Sequence, residues 1–247
     1  MSHHLVEMRD VSFAYPDGTE ALKEVSFRIE HGGSAALIGG NGAGKSTLLL
    51  HLNGYLATMH GEVRIGDTIV TRETAPLARR AVGMVFQDPD DQLFMPTVAE
   101  DVAFGPLNAG LPPEQVESRV ASALERVGMT HVRNRPPYRL SAGEKRAVAI
   151  ATVLAMSPDI LVMDEPSSNL DPRARRRLIG HLQSFEHTKI IATHDLELVV
   201  EVCRHVIVMD AGRIVARGPT IEILSDENLM SAHGLERPHS LRHTHPH

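Results

Sequence analysis

Near its amino-terminal end the chain contains a run of residues with the spacing that phosphate-binding loops require. Residues 39–47 read Gly-Gly-Asn-Gly-Ala-Gly-Lys-Ser-Thr, which fits the pattern G-x-x-x-x-G-K-[ST]. An apolar, strand-like run over 34–38 precedes the loop, and a helix-like run over 47–52 leads away from it. This strand–loop–helix order argues against the alternative, a glycine-rich turn with an incidental lysine.

The residue types in this loop suit the binding of phosphate groups and of a divalent cation. Glycines allow backbone N–H groups to close around an anion, and the following helix adds the positive end of its dipole. Lys45 is expected to reach the outer phosphates, and the hydroxyl of Ser46 is expected to bind Mg²⁺. The residues predicted to contact the phosphates are Gly39, Asn41, Gly42, Gly44, Lys45, Ser46 and Thr47.

Two adjacent carboxylates end another apolar, strand-like run, at 159–165. In enzymes with a phosphate-binding loop, an acid at a neighbouring strand end helps to hold Mg²⁺, which is the role predicted for Asp164. Glu165 would then stand where it could act as a general base on a water beside the outermost phosphate. The alternative is a pair of helix-capping acids before Pro166.

A second anion site is predicted at 140–144, which read Leu-Ser-Ala-Gly-Glu. Ser141 can cap a helix whose first turn has small residues, so that backbone N–H groups and the helix dipole face outward. The helix of the phosphate-binding loop already fills the corresponding end of its own site. The economical arrangement is therefore that residues 140–144 serve the loop of a second subunit.

Composition restricts the class of protein. The 247 residues include 25 Lys+Arg and 31 Asp+Glu, and the formal net charge of −6 excludes a protein-wide basic field for nucleic acid. The single cysteine, Cys203, excludes an internal disulfide framework, and no apolar run is long enough for a transmembrane helix. The first residues lack the apolar core of a signal peptide, so we expect a cytosolic chain or a peripheral one held by a partner.

Hydrophobic spacing predicts the elements that must position these residues. Alternating residues over 5–14, 21–30 and 61–71 predict an antiparallel layer, and the stretch 88–155 has a helical pattern. Strand and helix then alternate, and residues after about 230 show no periodicity and are expected to be disordered. The remaining predicted elements are strands at 81–86, 160–163 and 189–193, helices at 113–127, 172–183, 195–203 and from 141, and a hairpin of 206–209 with 213–216.

The order of the motifs resembles the ATP-binding cassette of ABC transporters over roughly residues 5–225. The residues that match the family's Walker A and Walker B motifs are Lys45, Ser46, Asp164 and Glu165. The resemblance implies an α/β fold with a P-loop NTPase (RecA-like) core, an antiparallel β subdomain and an α-helical subdomain inserted at about 88–155. Residues 1–230 would form the nucleotide-binding domain, and residues 231–247 a His-rich, disordered tail.

The run 140–144 is similar to the LSGGQ signature of this family. It keeps the phosphate-facing Ser141 and Gly143 and departs from the pattern at Ala142 and Glu144. The resemblance implies that two cassettes pair head to tail and hold ATP between the phosphate loop of one subunit and the signature of the other. Closure on ATP and opening after hydrolysis would then drive transport.

Four further residues match single positions of the family. Tyr15 stands where the family stacks an aromatic ring on adenine, and Gln87 matches the Q-loop glutamine. Asp171 ends the D-loop run 168–171, and His194 matches the switch histidine that holds the γ-phosphate. Taken alone, Tyr15 would be a turn aromatic, Gln87 a surface amide and His194 a helix cap. The resemblance implies a catalytic set of Lys45, Gln87, Glu165 and His194, and Mg²⁺ ligands Ser46, Gln87 and Asp164.

The segment that follows the matched glutamine is similar to the ATPases of energy-coupling-factor importers, which move vitamins, nickel and cobalt. Residues 86–94 read Phe-Gln-Asp-Pro-Asp-Asp-Gln-Leu-Phe. In that family this region contacts arginine-bearing coupling helices of a membrane T subunit. The residues suited to meet them are the acids Asp90 and Asp91 and the apolar Leu93 and Phe94. The alternative is an acidic loop with an incidental apolar flank.

Histidines bear on the cargo. His233, His239, His243, His245 and His247 lie near the end of the chain, and neutral imidazole binds nickel and cobalt. At the other end, His3 or His4 with the terminal amine suits a square-planar Cu(II) or Ni(II) site. A solvated low-complexity end is the alternative for the tail. A regulatory or buffering role is expected, since the transport path lies in membrane subunits.

The sequence therefore predicts the ATP-hydrolysing subunit of an energy-coupling-factor importer, for nickel or cobalt, held peripherally at the cytoplasmic face of the membrane. The expected partners are ATP, Mg²⁺, a second ATPase subunit, a membrane T subunit and a substrate-specific membrane subunit. An exporter or a binding-protein-dependent importer is the alternative. A soluble ABC-type ATPase acting on DNA or ribosomes is disfavoured by the acidic charge and the single cassette.

Overall fold

Two β-sheets organise residues 5–242, the part of the chain that the computed structural model describes. The first sheet consists of β1 (Val6–Ala14), β2 (Glu20–Ile29), β4 (His60–Ile65) and β5 (Thr68–Ile69), in the order β2-β1-β4-β5. The second consists of β3 (Ser34–Ile38), β6 (Val82–Val85), β7 (Ile160–Asp164), β8 (Thr188–Ala192), β9 (His205–Asp210) and β10 (Arg213–Pro219), in the order β10-β9-β3-β8-β7-β6.

The two sheets differ in strand direction. All pairs of the first sheet are antiparallel, as the alternating patterns predict. In the second sheet β3 pairs in parallel with both β8 and β9, β7 joins β8 to β6, and only the β9–β10 hairpin is antiparallel. The fold is thus α/β, with β3 near the centre of the parallel sheet.

The strands of the parallel sheet are apolar because both of their faces are covered. Every residue of β3, β7 and β8 is buried. Successive side chains of a strand point to opposite faces, so Ala35 and Leu37 join the core under the antiparallel sheet, whereas Ala36 and Ile38 join the core under the helices. The central strand therefore belongs to both cores, and the loop at its end is held on two sides.

Helices lie on both faces of the parallel sheet, with α1 and α2 in the core under the antiparallel sheet, and they fill the insert. They are α1 (Lys45–Leu52), α2 (Ala75–Ala81), α3 (Val98–Asn108), α4 (Pro113–Arg126), α5 (Ala142–Leu154), α6 (Pro172–Ser184), α7 (Leu196–Val202), α8 (Thr220–Ser225), α9 (Glu227–Ala232) and α10 (His239–Arg242). Short 3-10 segments lie at Pro89–Asp91, Thr130–Val132 and Pro137–Arg139. Within residues 5–242 no helix is both apolar enough and long enough to cross a bilayer.

The insert between β6 and β7 contains α3, α4 and α5 packed on one another. Helix α4 shows why it folds: Val116, Val120 and Leu124 are buried at helical spacing, and charged residues occupy the other face. The predicted helix over 113–127 is therefore confirmed to within one residue. The insert ends at α5, whose buried residues belong to the same core cluster as Ala36 and Ile38 of β3.

The carboxyl-terminal segment differs from the expectation over 231–242, where the structure has the end of α9, a turn and then α10. Leu235 and Leu241 pack against the core under the helices, and the N–H group of Ser240 donates to Glu197 Oε1 at 3.2 Å. These apolar residues are too widely spaced to form a periodic pattern, which is why sequence periodicity missed them. Residues 1–4 and 243–247 lie outside the described residues.

Candidate nucleotide site

The loop between β3 and α1 depends on glycine at two positions. Gly39 has a φ of 151° and Gly44 a φ of 100°, in the region where residues with a Cβ are strained. A Cβ at Gly39 would overlap the carbonyl oxygen of Met209, and one at Gly44 would overlap that of Ala21. The loop therefore passes so close to neighbouring backbone that only glycine fits, and α1 begins directly after it at Lys45.

Lys45 lies folded over its own loop. Its Nζ atom donates to the carbonyl oxygens of Gly39 and Gly40 at 2.7 and 2.9 Å, and the residue is buried. Burial lowers the pKa of Lys45, although the carboxylates of Glu165 and Asp164 oppose the shift. A buried ammonium held by two neutral carbonyls can exchange them for phosphate oxygens, which carry charge and form stronger hydrogen bonds.

Asp164 ends β7 beside the start of α1. Burial raises the pKa of Asp164 above its usual value, and a hydrogen bond from Ser46 opposes part of the rise. Its Oδ1 atom is buried and has no hydrogen-bond partner among the residues that the structure describes. A buried, unpaired carboxylate oxygen next to a hydroxyl suits a hard cation with oxygen ligands, and Gln87 lines the same cavity. These three residues therefore fit Mg²⁺.

Glu165 and His194 form a pair on the far side of the same cavity. His194 Nδ1 lies 2.8 Å from Glu165 Oε2, and the backbone N–H of His194 donates to that oxygen at 3.3 Å. Glu165 has a φ of 45°, an uncommon value for a residue with a side chain, and its N–H donates to Ala192 at 2.8 Å. The end of β8 thus holds the backbone of Glu165, while His194 holds its carboxylate.

A cavity of about 580 Å³ joins these groups. The predicted site residues that line it are Tyr15, Asn41, Gly42, Gly44, Lys45, Ser46, Thr47, Gln87, Asp164, Glu165 and His194. Tyr15 stands at one end, where its hydroxyl is 3.0 Å from Thr47 Oγ1 and its ring meets that of Phe13 edge to face at 5.1 Å. Its ring is therefore fixed beside the loop, as a stacking surface for a base must be. Thr19 and Glu20 also line this end, and no motif marked them.

Four of the predicted contact residues do not line this cavity in the described part of the chain: the buried Gly39, and Ser141, Gly143 and Asp171. Neighbours of the last three, Leu140, Ala142 and Asn169, line a second cavity of about 590 Å³ together with Ser46, Gln87 and Asp164. Ser141 caps α5, and Asp171 caps α6 by accepting from the N–H groups of Arg173 and Ala174 at 2.9 Å each. Both residues are exposed at helix starts, and their contact with a second subunit stays a prediction.

Arg146 is a residue of the site that the motifs did not reveal. It is 4% exposed on α5, and it donates to the carbonyl oxygens of Phe86 and Gln87 at 2.9 and 2.7 Å. Lys145 Nζ adds an ion pair with Asp90 Oδ1 at 2.6 Å. The segment that contains Gln87 is thus attached to the helix that begins after Ser141. The available signal was a charged residue at a buried helical position.

Arg175 also escaped the sequence analysis. Its guanidinium contacts both carboxylate oxygens of Asp195, with Nε to Oδ2 at 2.6 Å and an Nη atom to Oδ1 at 2.8 Å. Asp195 in turn caps α7 through the N–H of Leu198. Since Arg175 lies in the first turn of α6 and Asp195 follows His194, this bidentate pair connects the D-loop run to the histidine.

The segment predicted to contact a membrane partner is exposed only in part. Phe94 is 62% exposed and stacks edge to face on Phe104, with ring centroids 5.0 Å apart. Leu93 does not share this exposure: it is 7% exposed and belongs to the core under the helices. The 3-10 turn at Pro89–Asp91 directs Leu93 inward, so its assignment as a surface anchor is wrong. Asp90 already forms an ion pair with Lys145. Of the two acids predicted to meet a partner's arginines, Asp91 is therefore the one outside this ion pair.

Of the histidines predicted to bind metal, two lie in the described part of the chain. His233 Nδ1 is 2.9 Å from Asp210 Oδ2, and His239 begins α10. Among residues 5–242 no group of three or more His, Cys, Asp or Glu side chains is arranged to hold a metal ion. The other predicted ligands, His3, His4, His243, His245 and His247, lie outside the described residues.

The family model of the ABC transporter matches residues 22–168, more than half of the chain. A putative ABC transporter ATP-binding protein of Geobacter sulfurreducens is 65% identical over 242 residues, which cover 98% of this chain and 97% of that protein. The energy-coupling factor transporter ATP-binding protein EcfA of Methanothermobacter thermautotrophicus is 47% identical over 239 residues, which cover 95% and 77%.

Solved structures agree. The structure of cbiO1 from Clostridium perfringens, part of the ABC transporter complex cbiONQ, has a TM-score of 0.82 at 37% identity and covers 93% of this chain and 94% of that one. A dimeric ATP-binding cassette in a post-hydrolysis state with ADP and Pi has a TM-score of 0.79 at 26% identity and covers 87% and 98%. The chain therefore belongs to the ABC transporter family, in which it is an ATP-binding domain and an ATPase.

Proposed function

We propose that this chain is the energy-coupling ATPase subunit of a membrane importer of the energy-coupling-factor type, with nickel or cobalt ions as cargo. The importer type is supported by the relative named EcfA and by the likeness to cbiO1. The observation that carries the proposal is the exposed Phe94–Phe104 pair, whose first member lies seven residues after Gln87 and next to the acidic turn. The His-rich end of the sequence supports a metal cargo.

In this proposal the chain binds ATP along the cavity that begins at Tyr15. The aromatic ring stacks on the adenine, and the N–H groups of the loop surround the phosphates. The ammonium of Lys45 moves from two carbonyl oxygens to the outer phosphates. Ser46, Asp164 and Gln87 would hold Mg²⁺, which neutralises phosphate charge when it is bound.

Hydrolysis requires that a water be oriented and deprotonated. Glu165 is the general base in this proposal, because its carboxylate faces the cavity and its backbone is fixed by the end of β8. His194 positions that carboxylate through Nδ1 and its backbone N–H. When ATP is bound, the exposed imidazole of His194 would also reach the γ-phosphate.

Two copies of the chain, or this chain and a related subunit, complete the site. Ser141, Gly143 and Asp171 lie on helix ends that face outward, and each would contact the nucleotide held by the partner. Closure around ATP moves the insert, to which the segment that contains Gln87 is attached by Arg146. The motion would reach a membrane T subunit and, with it, a substrate-specific membrane subunit. The chain is accordingly placed on the cytoplasmic face of the membrane.

The surface offered to the T subunit combines an apolar centre with acidic neighbours. Phe94, Phe104 and Leu107 are 62%, 42% and 55% exposed. An exposed aromatic pair of this kind is an anchor for a complementary pocket or helix, and the exposed Asp91 suits an arginine beside it. Asp90 would bind an arginine of the T subunit only after its ion pair with Lys145 had broken.

The test is to purify the chain from its native membranes and to measure ATP-dependent uptake of ⁶³Ni²⁺ and ⁵⁷Co²⁺ by the same membranes. A small T-type membrane protein with metal uptake supports the proposal, whereas a T-type partner without metal uptake assigns another cargo, such as a vitamin. Recovery without any membrane partner contradicts the transporter assignment. Phe94→Ala should release the partner, and Tyr55→Ala is the matched control, since Tyr55 is 67% exposed on the other subdomain.

A further inference from the structure

The start of α5 contains a reciprocal set of hydrogen bonds between Ser141 and Glu144. The Ser141 hydroxyl accepts from the N–H of Glu144 at 3.3 Å and donates to Glu144 Oε2 at 2.9 Å. The backbone N–H of Ser141 donates to the same carboxylate oxygen at 2.8 Å. This capping box satisfies N–H groups that would otherwise have no partner at a helix start.

Glu144 is a charged member of this box. Hydrogen bonds from the backbone and the hydroxyl of Ser141 lower the pKa of Glu144 below its usual value, so the carboxylate is ionised at neutral pH. His131 Nε2 lies 3.9 Å from its other oxygen, and the guanidinium of Arg135 also lowers the pKa of Glu144. The first turn of α5 therefore carries a negative charge at the helix end that the proposed function assigns to a phosphate.

A carboxylate and a phosphate compete for the same donors at this helix end. The Ser141 hydroxyl and N–H are the groups that would turn toward a γ-phosphate, and both now point to Glu144 Oε2. To bind the phosphate, the serine must leave the carboxylate, and the carboxylate must accept a second anion nearby. Both steps weaken the interaction, the first through lost hydrogen bonds and the second through charge repulsion.

We propose that Glu144 is a positioning residue that holds Ser141 and raises the ATP concentration at which two cassettes close on each other. The inference rests on the proposed function, because it requires that Ser141 meet the nucleotide of the other subunit. It assigns a role to one of the two positions at which the chain departs from the family signature. The departure at Ala142 is not needed for it.

Helix stability alone does not require the charge. Glutamine at the third helical position forms a capping box as glutamate does, because its side-chain oxygen also accepts from the N–H of the capping residue. Helix α3 begins with a similar cap: Thr97 Oγ1 donates to Glu100 Oε2 at 2.7 Å and accepts from the N–H of Glu100 at 3.3 Å. Glu100 opens a helix with no predicted phosphate contact and thus provides a matched control.

The experiment measures ATP-driven dimer formation by light scattering in chains that also carry Glu165→Gln, which should trap the closed state. Glu144→Gln should lower the ATP concentration for half-maximal dimerisation by about 3- to 10-fold at low salt. The difference should shrink near 1 M salt, where charges are screened within about 3 Å. Glu100→Gln should leave the midpoint unchanged, and a structural effect on the cap would not depend on salt.

Glu144→Ala separates the two parts of the effect, because it removes both the charge and the side-chain half of the capping box. It should lower the thermal stability, whereas Glu144→Gln should retain it. If the parent with Glu165→Gln dimerises and Glu144→Gln has the same midpoint at all salt concentrations, the inference is wrong and the dimer stands. If the parent does not dimerise at any ATP concentration, the paired-cassette arrangement itself is overturned, and the inference with it.

Discussion

His194 Nδ1 lies 2.8 Å from Oε2 of Glu165, and the backbone N–H of His194 points at the same oxygen from 3.3 Å. The two residues are 29 positions apart in the chain and come together because β7 and β8 are adjacent parallel strands. Both therefore emerge from the same edge of the sheet. The side chain of Glu165 is 11% exposed and that of His194 is 72% exposed, so the histidine is the solvent-exposed residue of the pair.

Replacing Glu165 by glutamine should remove the general base while retaining the contacts to His194. We expect ATP binding to remain and hydrolysis to fall by about 10²- to 10⁴-fold, the usual contribution of a general base. Nucleotide binding by fluorescence and phosphate release at saturating ATP would measure the two effects. Turnover at the level of the unaltered protein would remove Glu165 from the mechanism.

Replacing His194 by alanine should release the Glu165 carboxylate without removing it. We expect kcat to fall by roughly 10-fold or more, since a misplaced catalytic group loses much of its effect, and nucleotide affinity to change less. Steady-state kinetics would separate kcat from KM, and His60→Ala, an exposed histidine at the start of β4, is the control. An unchanged kcat would show that the contact between the two residues has no catalytic role.

Replacing Asp164 by asparagine should stabilise the nucleotide-free protein at neutral pH and abolish Mg²⁺-dependent hydrolysis. Burial raises the pKa of Asp164, so folding favours its protonated form. That contribution to stability is present below the ordinary carboxyl pKa and is lost as the pH rises through the higher folded-state pKa. At pH 7 the ionised group is therefore costly, and asparagine should gain roughly 1 kcal/mol.

Calorimetry without nucleotide would test this prediction. The melting temperature of the asparagine variant should exceed that of the parent at pH 7.5, and the gap should narrow as the pH is lowered toward 4. A variant that melts below the parent at neutral pH would show that the contacts of the carboxylate with Ser46 and Lys45 outweigh its burial.

Replacing Arg146 by methionine should loosen the segment that contains Gln87. The change leaves the carbonyl oxygens of Phe86 and Gln87 without their donors, which costs about 1–3 kcal/mol of unfolding free energy. We also expect a higher Mg²⁺ concentration for half-maximal hydrolysis, because Gln87 is a proposed ligand, and partial recovery with Arg146→Lys. Urea unfolding and a Mg²⁺ titration would measure both effects.

The control is Arg133→Met, which removes an exposed pair with Glu117 and should cost at most about 1 kcal/mol. A loss of stability in Arg146→Met with an unchanged Mg²⁺ requirement would limit Arg146 to a structural role.

The sequence by itself determined the functional groups that belong to motifs of residues close together in the chain. The phosphate-binding loop needs glycines, a lysine and a serine at set spacings, and Asp164 and Glu165 follow an apolar strand that any reader of the pattern can locate. Strands and helices around them also followed from local periodicity. The alternation of strands and helices is a local signal as well, whereas the P-loop NTPase fold class was implied by the resemblance to the ABC cassette.

Tertiary structure decided the relationships that join distant residues or turn a side chain in or out. Gln87 and Arg146 are 59 positions apart, and only the packing of α5 on the segment after β6 brings them into contact. Leu93 and Phe94 are adjacent and equally apolar, yet a 3-10 turn buries one and exposes the other. No local pattern encodes whether such a side chain is buried or exposed. Burial depends on the surface that the rest of the folded chain presents to that side chain.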